Sequence, residues 1–275
     1  MDEALERLIG LLDVEELEHN YFRGYNPEAR WGRIFGGQVL GQALMAAGKT
    51  VEGDDRRVHS LQSYFLLGGD PEVPIMFEVD RIRDGRSFTT RRVRAFQHGE
   101  AIFALTASFH VDEEGPEHHP DMPEVPGPDS AGDAFPGPFP PRSSGFMPFA
   151  MRWMNREVDG RPQQALWLRV EDRLPDSPLL HASLLAFASD MGLVATIAQP
   201  HSDGEMWPGR FMMASLDHGM WFHRPFRVDE WLLYTRWSPS ASGARGLAMG
   251  QMFLQDGTHA VSVVQEGLIR PARKG

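Results

Sequence analysis

Apolar residues follow two patterns along this chain. In residues 35–51 and 184–198 they fill nearly every position, and elsewhere they often alternate with polar residues. A helix that is apolar on every side has to be buried, so each of the two stretches predicts a central helix. A short amphipathic helix is predicted near the N-terminus, behind Asp2 as its N-cap. Its apolar positions have helical spacing: Ala4, Leu5, Leu8, Ile9 and Leu12.

Four strand-like runs follow each of the two apolar stretches. They cover residues 58–67, 75–82, 88–97 and 101–111, and then residues 212–223, 231–238, 244–254 and 259–269. His98-Gly99 and Asp256-Gly257 separate the last two runs of each set, as hairpin turns do. Consecutive strands joined by short turns form antiparallel sheets. The predicted fold class is therefore α+β, with an antiparallel sheet wrapped around a central helix, twice.

Three of the four glycines in the first apolar stretch, Gly37, Gly41 and Gly48, concern its packing. A glycine in a helix interior costs about 1 kcal/mol relative to alanine. We expect this cost to be offset by a close approach between the helix and its sheet.

The boundary between the two halves is predicted in residues 113–149, where ten of the 21 prolines fall. Such a segment sustains neither a helix nor a central strand. We therefore expect an N-terminal domain over residues 1–112, a Pro-rich acidic linker over 113–149 and a C-terminal domain over 150–275. The repeated order of elements indicates an internal duplication.

Charge and composition exclude several classes of protein. The net charge is −11, with seven acids in residues 1–20 and eight in residues 112–133, which argues against a nucleic-acid partner. The absence of cysteine excludes disulfides, thiolate metal sites and cysteine nucleophiles. There is no run of eighteen apolar residues, the N-terminus is acidic and the C-terminus is not S-K-L. We expect no membrane span and a cytoplasmic location.

The common catalytic motifs are missing. The sequence contains no G-x-S-x-G, no G-x-x-x-x-G-K-[ST], no H-E-x-x-H and no G-x-G-x-x-G after a strand. Glu117, His118, His119 and Asp121 have ligand chemistry, but they lie in the Pro-rich segment, where no rigid element fixes their geometry. We expect neither a metal nor an organic cofactor.

Asp190 lies within the second apolar stretch, where Ser189 and Thr196 are the only other polar residues. Burial disfavours the ionised form of a carboxyl group, and a carboxylate kept in such a place is a candidate general base. The alternative is a structural aspartate that bonds the backbone at a helix kink or end. These residues alone do not decide between the two.

Gln265 is predicted to point inward from the last strand. Alternation places it on one face with Val261, Val263 and Ile269. A buried amide can orient a water or a carbonyl group, or it can serve only as a bonded core residue. Ser215 also lies in a strand-like run, but the alternation there does not decide which face is inward.

Together, a carboxylate on a buried helix, an amide and a hydroxyl suffice to hold one water and make it nucleophilic. This describes hydrolysis without a covalent intermediate. A polarised carbonyl would rest on backbone N–H groups at a helix N-terminus such as Gly36-Gly37-Gln38.

At these residues the sequence resembles the acyl-CoA thioesterase II (TesB-type) family, whose members are double-hotdog proteins. The resemblance covers nearly the whole chain. It rests on six motifs: RIFGGQVLGQAL from Arg33, HSLQSYFLLGGD from His59, DGRSFTTRRV from Asp84, SLDHGMWFHRPF from Ser215, SPSASGARG from Ser238 and VQEGLIR from Val264.

The resemblance implies an activity and a site. In that family an Asp on the second hotdog helix, a Ser or Thr before the D-H motif and the Gln of V-Q-E-G hold the hydrolytic water. They correspond to Asp190, Ser215 and Gln265. The implied reaction converts fatty acyl-CoA to free fatty acid and CoA without a cofactor, in a homo-oligomer of two or four chains.

Substrate contacts are expected from three further residues. Gly37 and Gln38 would lie near the thioester, and Arg245 near a CoA phosphate. Roles in a hairpin turn or in packing are the alternative for each of them.

Two other functions are alternatives to hydrolysis. Asp54 and His59 have the Asp-x4-His spacing of a hotdog enoyl-CoA hydratase, but they flank a polar turn outside any buried helix. Hydration of crotonyl-CoA would identify that activity. A non-catalytic acyl-CoA-binding or sensing protein would instead bind acyl-CoA without releasing CoA.

Overall fold

The computed structural model describes residues 2–27, 32–53, 55–132, 148–158, 161–201 and 210–272. The helices in these ranges are α1 (Glu3–Leu12), α2 (Gly36–Lys49) and α3 (Pro178–Ser189), with a 3-10 helix at Val194–His201. The first six strands are β1 (Glu15–Glu18), β2 (Tyr21–Gly24), β3 (Arg56–Phe65), β4 (Ile75–Asp84), β5 (Phe88–Gln97) and β6 (Glu100–Val111). The others are β7 (Phe149–Val158), β8 (Arg161–Val170), β9 (Phe211–Ser215), β10 (Asp217–Phe222), β11 (Leu232–Ser242), β12 (Arg245–Leu254) and β13 (His259–Pro271).

The strands form one antiparallel sheet whose two halves mirror each other. The order is β1-β2-β4-β5-β6-β3-β10-β13-β12-β11-β8-β7, and β9 also pairs with β13. The halves meet at β3 and β10, where Leu61 pairs with Met220. In each half two strands precede the central helix and the remaining strands follow it. This confirms the predicted α+β fold of two tandem hotdog domains.

Helices α1 and α2 form as predicted. The Asp2 side chain accepts a hydrogen bond from the Ala4 N–H, and α1 buries its apolar side through Leu5, Leu8 and Leu12. In α2 every residue from 37 to 47 is buried. The all-round apolar pattern therefore identified a helix that the protein buries over all but its ends.

The glycines of α2 face the other central helix, so the expectation that they approach the sheet was wrong. If each glycine carried a Cβ, that atom would lie very close to α3. The distance would be 2.4 Å from Gly37 to Phe187 O, 2.9 Å from Gly41 to Ser183 O and 2.3 Å from Gly48 to Leu179 Cδ1. As the residue number rises along α2, the number of the contacted residue falls along α3, so the two helices are antiparallel. Backbones this close leave no room for a side chain between them.

The second central helix differs from the prediction of one helix over residues 184–198. It begins earlier, with Ser177 as N-cap and Pro178 in its first turn, both favourable starting residues. It ends at Ser189, and Gly192 follows with a φ of +71° that no helix accommodates. Asp190 therefore lies at the C-cap and not in the middle of a helix.

The helical stretch Pro178–His201 is long and apolar enough to cross a membrane by composition. However, 89% of its most apolar window is buried inside the protein, as in the core helix of a folded domain.

The run predicted at residues 212–223 is two strands. Both β9 and β10 pair with β13, and only Leu216 between them lies outside a strand. The Leu216 N–H donates to Glu266 O at 2.9 Å, so the backbone stays attached to β13 between the two strands.

The described part of the Pro-rich segment, residues 113–132, contains no helix and no strand, only one bridge from Gly132 to Trp153. The segment is nevertheless packed against the second half. Trp167 Nε1 donates to Pro126 O at 2.8 Å, and Met122 and Val125 pack against the cluster of Ala165, Trp167, Leu233 and Phe253. The described part of this segment is therefore anchored to the second half of the protein.

Candidate active site

Asp190 lies where the end of α3 meets the start of α2. Its side chain is only 6% exposed, and its carboxylate accepts a hydrogen bond from the backbone N–H of Gly37. The N-terminal end of a helix carries positive partial charge, which stabilises a carboxylate. Asp190 is thus a buried carboxylate at a helix end that bonds the backbone, as the structural alternative required, and its burial is also what the general-base hypothesis requires.

Gln265 reaches the same point from β13. It is completely buried, and its face of the strand includes Val261, Val263 and Ile269, which confirms the predicted alternation. Its Nε2 donates to Asp190 Oδ1 at 2.7 Å. Its Oε1 is buried and has no hydrogen-bond partner within the described part of the chain. The site therefore contains an acceptor that is free beside a carboxylate.

Burial raises the pKa of Asp190 above its usual value of 3.8. The hydrogen bonds from Gln265 and Gly37 favour the ionised form, but they do not offset the loss of hydration. A carboxylate with a raised pKa is a stronger base than one in water. Asp190 therefore has the chemistry of a general base.

His218, which the sequence analysis did not select, lies between these groups. Its Nδ1 is 3.1 Å from Gln265 Nε2 and 3.8 Å from Asp190 Oδ1, and its Nε2 is 2.9 Å from Ser189 Oγ. Burial lowers the pKa of His218 to about 3, so the ring is neutral and forms no ion pair with Asp190. The alternation of β10, which buries His218, Met220 and Phe222, is a signal that would have found it.

Two side chains of β11 hold the backbone on either side of Asp190. Tyr234 Oη donates to Ser189 O at 3.1 Å, and Arg236 donates to Met191 O at 2.7 Å. Both side chains are almost completely buried. Burial lowers the pKa of Arg236 to about 10, but the guanidinium stays charged at neutral pH. The position of Asp190 is thus fixed by contacts to its neighbours as well as to its own carboxylate.

Ser215 lies on the same face of the sheet as Gln265. It pairs directly with Gly267 of β13, two residues beyond Gln265. Directly paired residues point to the same face, and so do residues two apart on a strand. Ser215 is half-buried, at the end of β9. The tertiary structure thus decides the orientation that alternation left open.

Gln38 and Arg245 make other contacts. The Gln38 amide donates to Asn26 Oδ1 at 2.8 Å and so holds the chain before α2. Arg245 is 54% exposed, and its Nε lies 3.0 Å from Glu266 Oε1. Gly37 lies next to Asp190, whereas the side chains of Gln38 and Arg245, also predicted to contact the substrate, have the other partners given above.

The residues considered for a hydratase or for a metal site make no contact with Asp190 among the described residues. Asp54 lies outside the described residues, and His59 Nε2 is 2.8 Å from Ser108 Oγ on the neighbouring strand. Glu117 forms an ion pair with Arg224 at 3.4 Å. Within the described ranges no three His, Asp or Glu side chains come together as a metal site.

Comparisons with known proteins cover nearly the whole chain and agree with one another. Residues 27–110 match a family described as the acyl-CoA thioesterase N-terminal domain, and residues 144–268 match one described as acyl-CoA thioesterase. Acyl-CoA thioesterase 2 of Haemophilus influenzae is 37% identical, over 98% of this chain and 99% of its own. Acyl-coenzyme A thioesterase 8 of Homo sapiens is 37% identical, over 94% of this chain and 88% of its own.

A solved structure has the same fold over nearly the same length. The acyl-CoA thioesterase II TesB2 of Mycobacterium marinum superposes with a TM-score of 0.84 and is 42% identical, over 96% of this chain and 98% of its own. Together with the relatives and the two matched segments, this shows that the chain belongs to the acyl-CoA thioesterase family.

Proposed function

We propose that this protein is an acyl-CoA thioesterase in which Asp190 activates water for attack on the thioester. The observation that carries the proposal is the buried pair of Asp190 Oδ1 and Gln265 Nε2, 2.7 Å apart, with Gln265 Oε1 left as a free acceptor. The names of the relatives supply the substrate class, since the pair by itself suits hydrolysis of several esters. No metal or organic cofactor takes part in this mechanism.

The reacting water would donate its two hydrogens to Asp190 and to Gln265 Oε1. Its lone pair then faces the thioester, and Ser215 supplies a further hydrogen bond. As the water oxygen bonds to the carbonyl carbon, its proton passes to Asp190. The tetrahedral intermediate then collapses, the C–S bond breaks and the thiolate of CoA takes the proton from Asp190. The products are a fatty acid and CoA, and the carboxylate is restored.

The thioester carbonyl would be polarised at the N-terminus of α2. The Gly37 N–H bonds Asp190 and the Gln38 N–H bonds Phe35 O at 3.1 Å, which leaves the N–H of Gly36 as the donor. Gly36 is close to the carboxylate, since a Cβ there would lie 2.8 Å from Asp190 Oδ2. Backbone donors at a helix end stabilise the negative charge that develops on the carbonyl oxygen.

Substrate contacts at Gly37, Gln38 and Arg245 are part of the proposal. Gly37 would lie beside the thioester, with Gln38 shaping the loop before it through Asn26. The exposed guanidinium of Arg245 is available to a phosphate of CoA, provided that it exchanges its partner Glu266.

The test is thiol release from a panel of acyl-CoAs of short, long and branched chains, with wild type beside Asp190→Asn. Release that depends on Asp190 supports the proposal and ranks the substrates. Binding of acyl-CoA without thiol release would favour a sensing protein. Hydration of crotonyl-CoA without thiol release would favour the hydratase.

The division into domains and the assembly are also proposals. The mirrored strand order and the two separately matched segments support domains at residues 1–112 and 150–275 with a linker at 113–149. The exposed apolar side chains Tyr64, Leu66 and Leu67 support association into a homo-oligomer of two or four chains. Light scattering would measure the number of chains, and cell fractionation would test the expected cytoplasmic location.

A further inference from the structure

His218 is buried beside the proposed catalytic pair, yet it does not take part in the mechanism above. It is 1% exposed and lies on β10, at the junction of the two halves of the sheet. Its ring contacts two side chains, Gln265 through Nδ1 and Ser189 through Nε2, at 3.1 and 2.9 Å. A neutral histidine has one donor and one acceptor nitrogen, so the partners determine which is which.

The hydrogens of this cluster can be assigned in one consistent way. The Gln265 amide nitrogen has two hydrogens, and its two partners are Asp190 Oδ1 and His218 Nδ1. Nδ1 must therefore be the unprotonated nitrogen, and Nε2 carries the proton and donates to Ser189 Oγ. The Ser189 hydroxyl in turn donates to Ala186 O at 2.8 Å. Every hydrogen in this chain of contacts has an acceptor.

If the Gln265 amide were rotated by 180°, its oxygen Oε1 would take the place of Nε2 and face two hydrogen-bond acceptors. One is the carboxylate of Asp190 and the other is the lone pair on His218 Nδ1. When Asp190 takes the proton of water, however, it becomes a donor and no longer repels Oε1. The lone pair on His218 Nδ1 remains, because Ser189 donates its own hydroxyl hydrogen to Ala186 O and accepts the proton of Nε2. The ring takes no second proton, since burial lowers its pKa to about 3.

We propose that His218 is a positioning residue, whose unprotonated Nδ1 keeps the Gln265 amide nitrogen towards Asp190 and so keeps Oε1 towards the reacting water throughout turnover. This inference rests on the proposed function, since it assigns to Oε1 the water of that mechanism. In this role His218 acts through its contact with Gln265.

The tautomer can be measured without any activity. Wild-type protein with ¹⁵N-labelled histidine is examined by long-range ¹H–¹⁵N correlation between pH 5 and 9, and the His218 signals are assigned by their loss in His218→Asn. We expect Nε2 to be protonated and Nδ1 unprotonated at every pH. A proton on Nδ1, or a ring that titrates in this range, would overturn the proposal.

Two substitutions separate the contacts of the ring. In His218→Asn the amide oxygen takes the place of Nδ1 and keeps the acceptor for Gln265, whereas His218→Gln places its amide near Nε2 and keeps only the contact with Ser189. Misplacement of a group at a reacting centre by about 1 Å costs roughly 10²-fold in rate. We expect His218→Gln to lose roughly 10²-fold in kcat with KM unchanged, and His218→Asn to stay within about threefold of wild type by the same argument.

A residue with only a packing role would give a different result. Both variants replace the ring with an acyclic amide, so their melting temperatures should fall together and any loss of kcat should be the same in both. Equal losses would overturn the proposal. Asp190→Asn is measured alongside: if it retains full activity, the proposed function fails, while the tautomer measurement still decides how Gln265 is held.

Discussion

Gln265 Nε2 donates a hydrogen bond to Asp190 Oδ1 at 2.7 Å, across 75 residues of sequence. The bond joins the last strand of the sheet to the end of a central helix, and both side chains are buried. Because the amide uses its nitrogen on the carboxylate, its oxygen stays available. This arrangement gives a water two acceptors within one buried site.

Asp190→Asn should abolish most of the activity without unfolding the protein. General base catalysis contributes roughly 10²- to 10⁴-fold, and we expect a loss of kcat in that range. The measurement is thiol release from the best acyl-CoA substrate, together with thermal denaturation. Turnover close to wild type in a folded variant would contradict the assigned role.

Asp229 provides the matched control for that substitution. Its carboxylate accepts from Arg227 at 2.9 Å and from the Leu174 N–H at 2.8 Å, away from the proposed site. Asp229→Asn should lower the free energy of unfolding by about 1–3 kcal/mol, because it weakens hydrogen bonds to a charged group. Its kcat should remain close to that of wild type.

As the pH is lowered, the activity should begin to fall at a pH higher than the ordinary pKa of an aspartate. Burial raises the pKa of Asp190, and only the ionised form accepts a proton from water, so the acid limb of the kcat profile should lie above pH 3.8. A profile that stays flat to pH 3.8 would contradict a raised pKa at the group that accepts the proton.

The same shift has a consequence for stability. Since the native pKa is raised, protonation of Asp190 stabilises the folded state at low pH, and this contribution is lost as the pH rises through the native pKa. Asp190→Asn removes the titration. Its melting temperature relative to wild type should therefore rise from acidic to neutral pH, and a constant or falling difference would contradict burial of an ionised Asp190.

Gln265→Glu should move the acid limb of the activity to higher pH. The new carboxyl group would face Asp190 at hydrogen-bond distance, and two carboxylates this close share a proton, which raises the apparent pKa of the pair. The pH profile of kcat measures the shift. Gln62→Glu, at an exposed position of β3, adds the same charge away from the site and should leave the profile unchanged.

Gly37→Ala should impair both stability and turnover. A Cβ at this position would lie 2.4 Å from Phe187 O, so α2 would have to move away from α3 and the Gly37 N–H away from Asp190. Overpacking of this kind costs about 1–3 kcal/mol. Gly10→Ala is the control, because its Cβ would meet nothing within 4 Å and alanine in α1 should add about 0.5–1 kcal/mol. Denaturant unfolding of both variants measures the contrast.

Ser215→Ala and Ser215→Thr test the hydroxyl at the end of β9. Loss of one hydrogen bond to the reacting water should lower kcat roughly tenfold in Ser215→Ala. Ser215→Thr keeps the hydroxyl and should keep most of the activity. If both variants retain wild-type kcat, the serine has no part in holding the water.

The sequence by itself determined the elements whose pattern is local. The all-round apolar character of α2 showed a buried helix, and the alternation of Val261, Val263 and Gln265 showed which face of β13 is inward. The repeated order of elements showed a duplicated α+β fold. The first two inferences depend only on residues that are neighbours along the chain, and the third compares the order of such local elements in the two halves.

The tertiary structure decided everything that joins distant segments. The pairing of β3 with β10 brings the first half against the second, so that Gly37 reaches Asp190. The pairing of β10 with β13 brings His218 to Gln265. The glycines of α2 pack against α3 because the two helices cross as antiparallel neighbours. Hydrophobic periodicity contains no record of which strands or helices become neighbours, because the same pattern buries a residue in any of them. The elements were therefore predictable from the local pattern of the sequence, whereas the site was decided by how the central helices and the strands beside them pack together.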